Sequence, residues 1–169
     1  TAQAVAELLA PAPIQIVVHN AGTHDDVPMA GMTASRWQSV IDVSLNGFFN
    51  VVQPMLLPMM ATRWGRIVAM SSLSGIMGNR GQVNYAAAKA GLIGAVRALS
   101  LECAARGITV NAIAPGIIAS PAVDTVLTGE RIAALVPMKR AGRPDEVAEL
   151  AAFLASDRAS YISGVVVTL

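Results

Sequence analysis

The chain has 169 residues, 54% of them hydrophobic and 14% charged, with a formal net charge of +1. That balance excludes a disordered segment and fits one domain large enough to bury a core. The charge leaves no global field to draw the chain to nucleic acid or a membrane surface, and a single cysteine, Cys103, excludes an internal disulfide and suits a reducing cytoplasm.

In chain order, "AQAVAELLA" reads as the tail of a helix, and no basic head marks it as a secretory signal. "IQIVVHNAG" (Ile14 to Gly22) reads as a buried strand running into a turn. A helix is expected from about Ala34 to Ala61, bent or interrupted near Pro54 and Pro58. With those prolines counted as breaks, no apolar run is long enough to cross a bilayer. "RIVAMSS" (Arg66 to Ser72) is a second strand. A helix follows from about Tyr85 to Arg106, with Gly107 as its stop signal. "ITVNAIAPG" (Ile108 to Gly116) is a third strand. The segment Ser120 to Met138 is the least regular and reads as a mobile lid. "RPDEVAELAAFLAS" opens a helix, since Pro144, Asp145 and Glu146 suit a first turn. "GVVVTL" (Gly164 to Leu169) is the fourth strand.

Strands without polar alternation, separated by helices, predict an α/β fold with a parallel sheet covered on both faces. Ligands bind such sheets beyond the carboxyl ends of the strands. The turns "HNAG", "MSSLSG" and "APGIIAS" should therefore share one rim.

On that rim the informative pair is Tyr85 and Lys89, one helical turn apart. A nearby ammonium favours the phenolate, which suits a tyrosine to acid catalysis. An ordinary surface pair is the alternative. Ser71, Ser72 and Ser74 follow a strand, where a hydroxyl can steady a substrate carbonyl or simply serve a loop. The small residues of "HNAG" and "APG" either let a ligand approach the backbone or make plain turns. His19 reads as a strand-end residue. His24, Asp25 and Asp26 form a polar cluster without metal-ligand spacing. Met55, Met59, Met60 and Met70 read as filler of a core or interface.

Taken in order, "HNAG", "SS-x-S-G", Tyr-x-x-x-Lys, "N-x-I-x-PG", "RPDEVA" and "YISG" resemble the short-chain dehydrogenase/reductase family over essentially the whole chain. The wording "GIMGNRGQVNYAAAKAGLIG" and "RGITVNAIAPG" is most similar to the β-ketoacyl-[acyl-carrier-protein] reductases within it. The resemblance implies a Rossmann-like three-layer sandwich. Ser72 then orients the substrate carbonyl, Tyr85 protonates it, and Lys89 holds the nicotinamide ribose and tunes the tyrosine. Asn20, Ala21 and Gly22 border the cofactor's adenosine ribose and diphosphate. Pro115, Gly116, Ile118 and Ser120 border the nicotinamide, with Ser120 where the family usually has threonine. Ser44 replaces an asparagine that helps hold a relay water for the lysine, so an impaired relay is expected. Asn46, two positions on, should point away.

The implied cofactor is NADP(H), with NAD(H) as the alternative. The implied partner is acyl carrier protein or another thioester carrier, docking at Arg63 and Arg106; those two arginines are equally read as solubilising charges at helix ends. A homodimer or tetramer is expected, through helix faces around Phe48, Phe49, Val52 and Leu92, and no nucleic acid, membrane or metal partner. The sequence contains no T-G-x-x-x-G-x-G turn of the kind that cradles a dinucleotide's diphosphate. The expectation is thus one domain over residues 1–169, the C-terminal two-thirds of the family fold, from a parent cut inside its third helix and again before the glycine-rich tail the family usually has. Such a chain should leave the Ile14–His19 edge and one sheet face bare. Two other readings stand beside the reductase: a non-catalytic remnant that binds cofactor poorly, and a dehydrogenase of another alcohol or ketone.

Overall fold

The computed structural model describes residues 12–169, and the predicted helix tail "AQAVAELLA" lies outside them. Four parallel strands form one sheet in the order β1-β2-β3-β4: Ile16–His19, Gly65–Met70, Ile108–Ala114 and Val166–Thr168. Every residue of β2 and β3 is buried, and apart from Arg66, Thr109 and Asn111 their sequences are apolar on both faces.

Two layers of helix cover the sheet, as an α/β sandwich requires. On one side lie α1 (Ala34–Ile41), α2 (Gly47–Thr62) and α4 (Val83–Cys103). Their Phe48, Val52, Met59, Leu92 and Val96 pack on Val17, Ile67 and Val110. On the other side α7 (Pro144–Leu154) sets Ala151 and Leu154 against Val68, Met70 and Ile113. Phe48, Val52 and Leu92, expected on an oligomer surface, are therefore core; of that group only Phe49 is exposed. Each buried side chain of this kind contributes roughly 1.5–3 kcal/mol relative to exposure.

The helix after β1 departs from expectation in a useful way. It runs through both Pro54 and Pro58. The break in its α pattern falls upstream, in a π turn at Asp42–Asn46, where the Gly47 N–H reaches back five residues to the Asp42 carbonyl. The continuous stretch Ala34–Thr62 is 29 residues long and by length and composition alone would span a membrane. Here its apolar side covers the sheet.

Short segments complete the frame. Ser74–Met77 (α3) precedes α4. The expected irregular lid is instead two short helices, α5 (Pro121–Val126) and α6 (Gly129–Leu135), capped by the hydroxyls of Ser120 and Thr128. Before α7 the Arg143 N–H donates to the Glu146 carboxylate at 2.7 Å. That carboxylate also takes a bidentate bond from Arg140 at 2.8 and 2.6 Å. A 3-10 turn, Ala104–Arg106, ends the long helix, and Gly107 follows in the left-handed region at φ 71°. A Cβ at Gly107 would overlap the Arg63 carbonyl, so no other residue fits.

At the amino ends of the strands, Arg66 is buried and reaches Asp157 at 3.0 Å and the Gly107 carbonyl at 3.3 Å, stacked 4.4 Å from the Trp64 ring centre. It ties the amino ends of β2 and β3 to the 3-10 turn after α7. At the sheet edge, β1 pairs with β2 and with no other described strand, and Ile16 and Val18 stand 48% and 45% exposed. The expected bare edge is thus seen at β1 in the described residues; of the expected bare face only the β1 positions Ile16 and Val18 are half exposed, while α7 covers β2 and β3.

Candidate active site

The site is built at the carboxyl ends of β1, β2 and β3. Three contacts fix the start of α4 against them. The buried Asn84 amide donates to the Asp25 and Arg36 carbonyls at 3.1 and 3.2 Å, and its oxygen accepts the Tyr85 N–H at 2.8 Å. The Ser71 hydroxyl donates to the Lys89 carbonyl at 2.8 Å. Gly75 of α3 lies so close to α4 that a Cβ there would stand 2.8 Å from the Lys89 carbonyl carbon. Helix and strand end are locked together at the turn that carries Tyr85 and Lys89.

Lys89 is 3% exposed. Its Nζ donates to the Met70 carbonyl at the end of β2, at 2.7 Å, and stands 5.6 Å from the centre of the Tyr85 ring, within cation–π range. Burial pulls its pKa down to about 8 from an ordinary 10.5, because desolvation disfavours the charged form. Gly22 makes room for this ammonium: a Cβ there would sit 3.0 Å from Nζ and 3.7 Å from the Ser44 hydroxyl. Ser44 is fully buried and its Oγ has no hydrogen-bond partner among the described residues. Its carbonyl accepts from the His19 Nε2 at 3.0 Å. Asn46 is exposed and donates to Asp42 at 2.6 Å, so it points away as expected. The Ser72 Oγ accepts the Ser74 N–H at 3.1 Å, which uses a lone pair and leaves its O–H as a donor.

A cleft of about 560 Å³ opens over these groups. Of the residues proposed from sequence, it is lined by Asn20, Gly22, Ser72, Tyr85, Lys89, Pro115, Gly116 and Ile118. Ala21 is exposed beside it and is not part of the lining. Ser120 is not either; its Oγ accepts the Val123 N–H at 3.2 Å as a helix cap. Ser44 sits behind Gly22. Arg63 and Arg106 are at the opposite end of the sheet, just before β2 and β3, with Arg63 donating to the Ala105 carbonyl at 3.1 Å.

A second cleft, about 610 Å³, shares Ser72, Pro115, Gly116 and Ile118 with the first. Leu135, Val136, Met138 and Leu169 give it a largely apolar wall. A ligand spanning both clefts would present a polar group at Ser72 and Tyr85 and an apolar tail toward α6. Sequence reasoning overlooked four contributors. His24 and Thr23 line the first cleft, the Met70 carbonyl anchors Lys89, and Asn84 anchors the helix. Only Asn84 had a visible signal, as a polar residue beside Tyr85 in an alanine-rich helix.

Known proteins share this arrangement of sequence. A family model described as Enoyl-(Acyl carrier protein) reductase matches residues 1–169. Nodulation protein G of Azospirillum brasilense is 47% identical over 155 residues, 90% of this chain and 63% of that protein. Acetoacetyl-CoA reductase of Shinella zoogloeoides is 45% identical over 155 residues, 90% of this chain and 64% of its own length. The 3-oxoacyl-[acyl-carrier-protein] reductase FabG of Thermotoga maritima is 45% identical over 156 residues, 91% of this chain and 63% of its own length. The chain therefore spans somewhat under two-thirds of the relatives it matches.

Proposed function

The chain belongs to the short-chain dehydrogenase/reductase family, and from that premise we propose that it carries the catalytic portion of an NADPH-dependent reductase of 3-oxoacyl thioesters. The observation that carries the reading is the convergence of Ser72, Tyr85 and Lys89 on one cleft that continues into an apolar one. The names of the relatives support the same substrate class on two carriers, coenzyme A and acyl carrier protein. A role in fatty-acid synthesis in the cytoplasm is the corresponding setting.

The residues present fit the nicotinamide end of a dinucleotide. Gly22 and Gly116 line the cleft without side chains, and each is closely packed: a Cβ at Gly22 would meet the Lys89 Nζ and one at Gly116 would meet Leu73, both at 3.0 Å. No carboxylate belongs to the described lining of the first cleft, so an anionic ligand meets no like charge from that lining. Asn20, Lys89, Pro115, Gly116 and Ile118 would hold that end of the cofactor, which supplies the hydride when bound. The protein's own part is positional and electrostatic. Ser72 donates a hydrogen bond to the substrate carbonyl oxygen and steadies the charge that develops on it. Tyr85 gives its hydroxyl proton to the same oxygen. The Lys89 ammonium, 5.6 Å from the ring centre, favours the phenolate left behind.

Reprotonation of Tyr85 draws on the groups behind it, where Ser44 is shorter than the amide the family usually places there. Ser44→Asn should raise turnover about two- to tenfold, within the range of a proton-transfer contribution, without changing KM for NADPH. An unaltered rate and pH profile would remove Ser44 from the proton path. Arg63 and Arg106 lie away from this cleft. A carrier docked on them meets a cleft only where an oligomer brings another copy alongside, which is the arrangement the proposal requires of them.

The test is NADPH titration of this chain beside a longer form that includes a glycine-rich diphosphate turn, followed by NADPH oxidation with acetoacetyl-CoA and an acetoacetyl-carrier thioester. The longer form should bind and turn over. Binding of NADPH with no reduction of either thioester would overturn the substrate assignment. Tight binding by the short chain would dispose of the remnant reading.

A further inference from the structure

The geometry points to His19 as a positioning residue for Lys89: its imidazole holds the Ser44 carbonyl and, through the π turn, sets where the Ser44 hydroxyl stands against the ammonium. The inference rests on the reading of Tyr85 and Lys89 as the acid and its tuner.

Three observations converge. First, the helix departs from α geometry only over Asp42–Asn46, and Ser44 is the buried residue of that turn. Isolated π turns mark positions where a helix is held out of its default register. The restraint is visible: His19, the last residue of β1, is 4% exposed and its Nε2 lies 3.0 Å from the Ser44 carbonyl. Its ring stands edge-on to Phe48, centres 5.5 Å apart at 78°. Second, a carbonyl only accepts, so Nε2 must carry the hydrogen. Burial, aided by the charge of Lys89 and opposed by the bond to Ser44, lowers the His19 pKa below its ordinary value. The ring is thus neutral near pH 7, in the Nε2–H tautomer. Third, the Ser44 Oγ is buried with no partner among the described residues, and the missing Cβ of Gly22 leaves it and the Lys89 Nζ facing one point, 3.7 and 3.0 Å away.

An ammonium has three hydrogens to place, and the Met70 carbonyl takes one. The Ser44 hydroxyl is the polar group set to serve another, directly or through a water. Without the His19 bond the turn is free to return to α register. That return rotates a side chain by about 100° per residue of slip, which carries the Ser44 hydroxyl out of line with Nζ and opens the ammonium to solvent. Other charged groups around this point are engaged elsewhere. Asp42, in the turn itself, accepts from Gln38 and Asn46 at 2.7 and 2.6 Å. Asp25 is ion-paired with Arg36. Tyr85 shares α4 with Lys89.

The chain contains only two histidines, His19 and His24, and two lysines, Lys89 and Lys139, so nitrogen NMR reads each directly without cofactor or substrate. In the unmodified chain the neutral His19 ring should show the Nε2–H tautomer at about pH 7 and above, and Lys89 should titrate near 8. His19→Phe keeps the ring and removes the donor; the Lys89 midpoint should then rise by about one unit as water reaches it. His19→Asn, which retains a donor, should hold the midpoint closer to the unmodified value. A hydrogen on Nδ1 with Nε2 bare overturns the proposal before any variant is made, so it stays testable if the Phe variant does not fold. An unmoved Lys89 midpoint in a folded Phe variant overturns it as well. Failure of the chain to reduce thioesters would sink the reductase reading and leave these titrations as they are.

Discussion

Replacing Lys89 with methionine should raise the stability of the fold and cut deeply into the proposed reduction. An ammonium 3% exposed with its pKa drawn down to about 8 is being charged against its surroundings. The folded pKa lies below the ordinary 10.5, so the unfolded chain holds that proton more tightly. The charged form therefore destabilises the fold fully below pH 8, and the penalty fades as pH rises from 8 toward 10.5. Methionine occupies similar space without charge, and the gain at pH 7 should be about 1–3 kcal/mol. The Met70 carbonyl loses its donor, which offsets part of it. Urea unfolding at pH 7 and near pH 10 measures both terms, and the advantage should shrink at the higher pH. Turnover should fall by about 10²–10⁴-fold, the scale of a lost acid–base element. A methionine variant less stable than the parent at pH 7 would mean that the ammonium's hydrogen bonds outweigh its desolvation.

Gly75→Ala should damage stability and turnover together. The added Cβ would stand 2.8 Å from the Lys89 carbonyl carbon and 2.9 Å from the Ala90 nitrogen. Both are backbone atoms of α4, which cannot yield as a flexible side chain would. The helices must part, at a cost of about 1–3 kcal/mol. That parting separates Ser72, just before α3, from Tyr85 and Lys89 on α4. A displacement of the order of 1 Å costs roughly 10²-fold in rate. Gly94, on α4, has no described atom within 4 Å of its added Cβ. Gly94→Ala should instead stabilise by about 0.5–1 kcal/mol through helix propensity with turnover unchanged. Two glycines in adjoining helices thus give opposite signs, read by thermal unfolding and a steady-state assay. Equal effects from both would show that α3 and α4 do not hold the site as tightly as their contact requires.

The sheet was the most legible part of the molecule. All four strands read as largely apolar runs; burial on both faces accounts for Gly65–Met70 and Ile108–Ala114, interrupted only by Arg66, Thr109 and Asn111, and does not account for Ile16–His19, whose alternate residues are exposed. The Tyr85–Lys89 pair was readable because helical spacing alone sets it on one face. The π turn was not. A search at period 3.6 absorbs a one-residue slip, and Pro54 and Pro58 drew the expected break downstream. The bond from His19 to Ser44 depends on that slip, so it had no signature of its own. Phe48, Val52 and Leu92 were misread for another reason: an apolar residue facing a sheet and one facing a second subunit look the same until the helix is docked. The caps at Ser120 and Thr128 were present in the sequence, yet helices as short as α5 and α6 leave too few residues for a periodic pattern.

The strand order bears on how the chain finds its fold. Each strand pairs with its predecessor, Ile16 with Arg66, Gly65 with Ile108 and Ala112 with Val166. Each pairing therefore closes a loop of about 40–55 residues, and loops so alike in length differ by well under 1 kcal/mol in closure entropy. Loop length does not choose which pairing forms first; apolar burial does. The two central strands, six and seven residues long and buried throughout, outcompete the half-exposed Ile16–His19 and the short Val166–Thr168. The kinetic nucleus then lies in the middle of the chain, with the outer strands condensing later on either side. Pulsed hydrogen exchange during refolding should protect the Ile67 and Val110 amides before that of Val18, and the reverse order would place the nucleus at the edge.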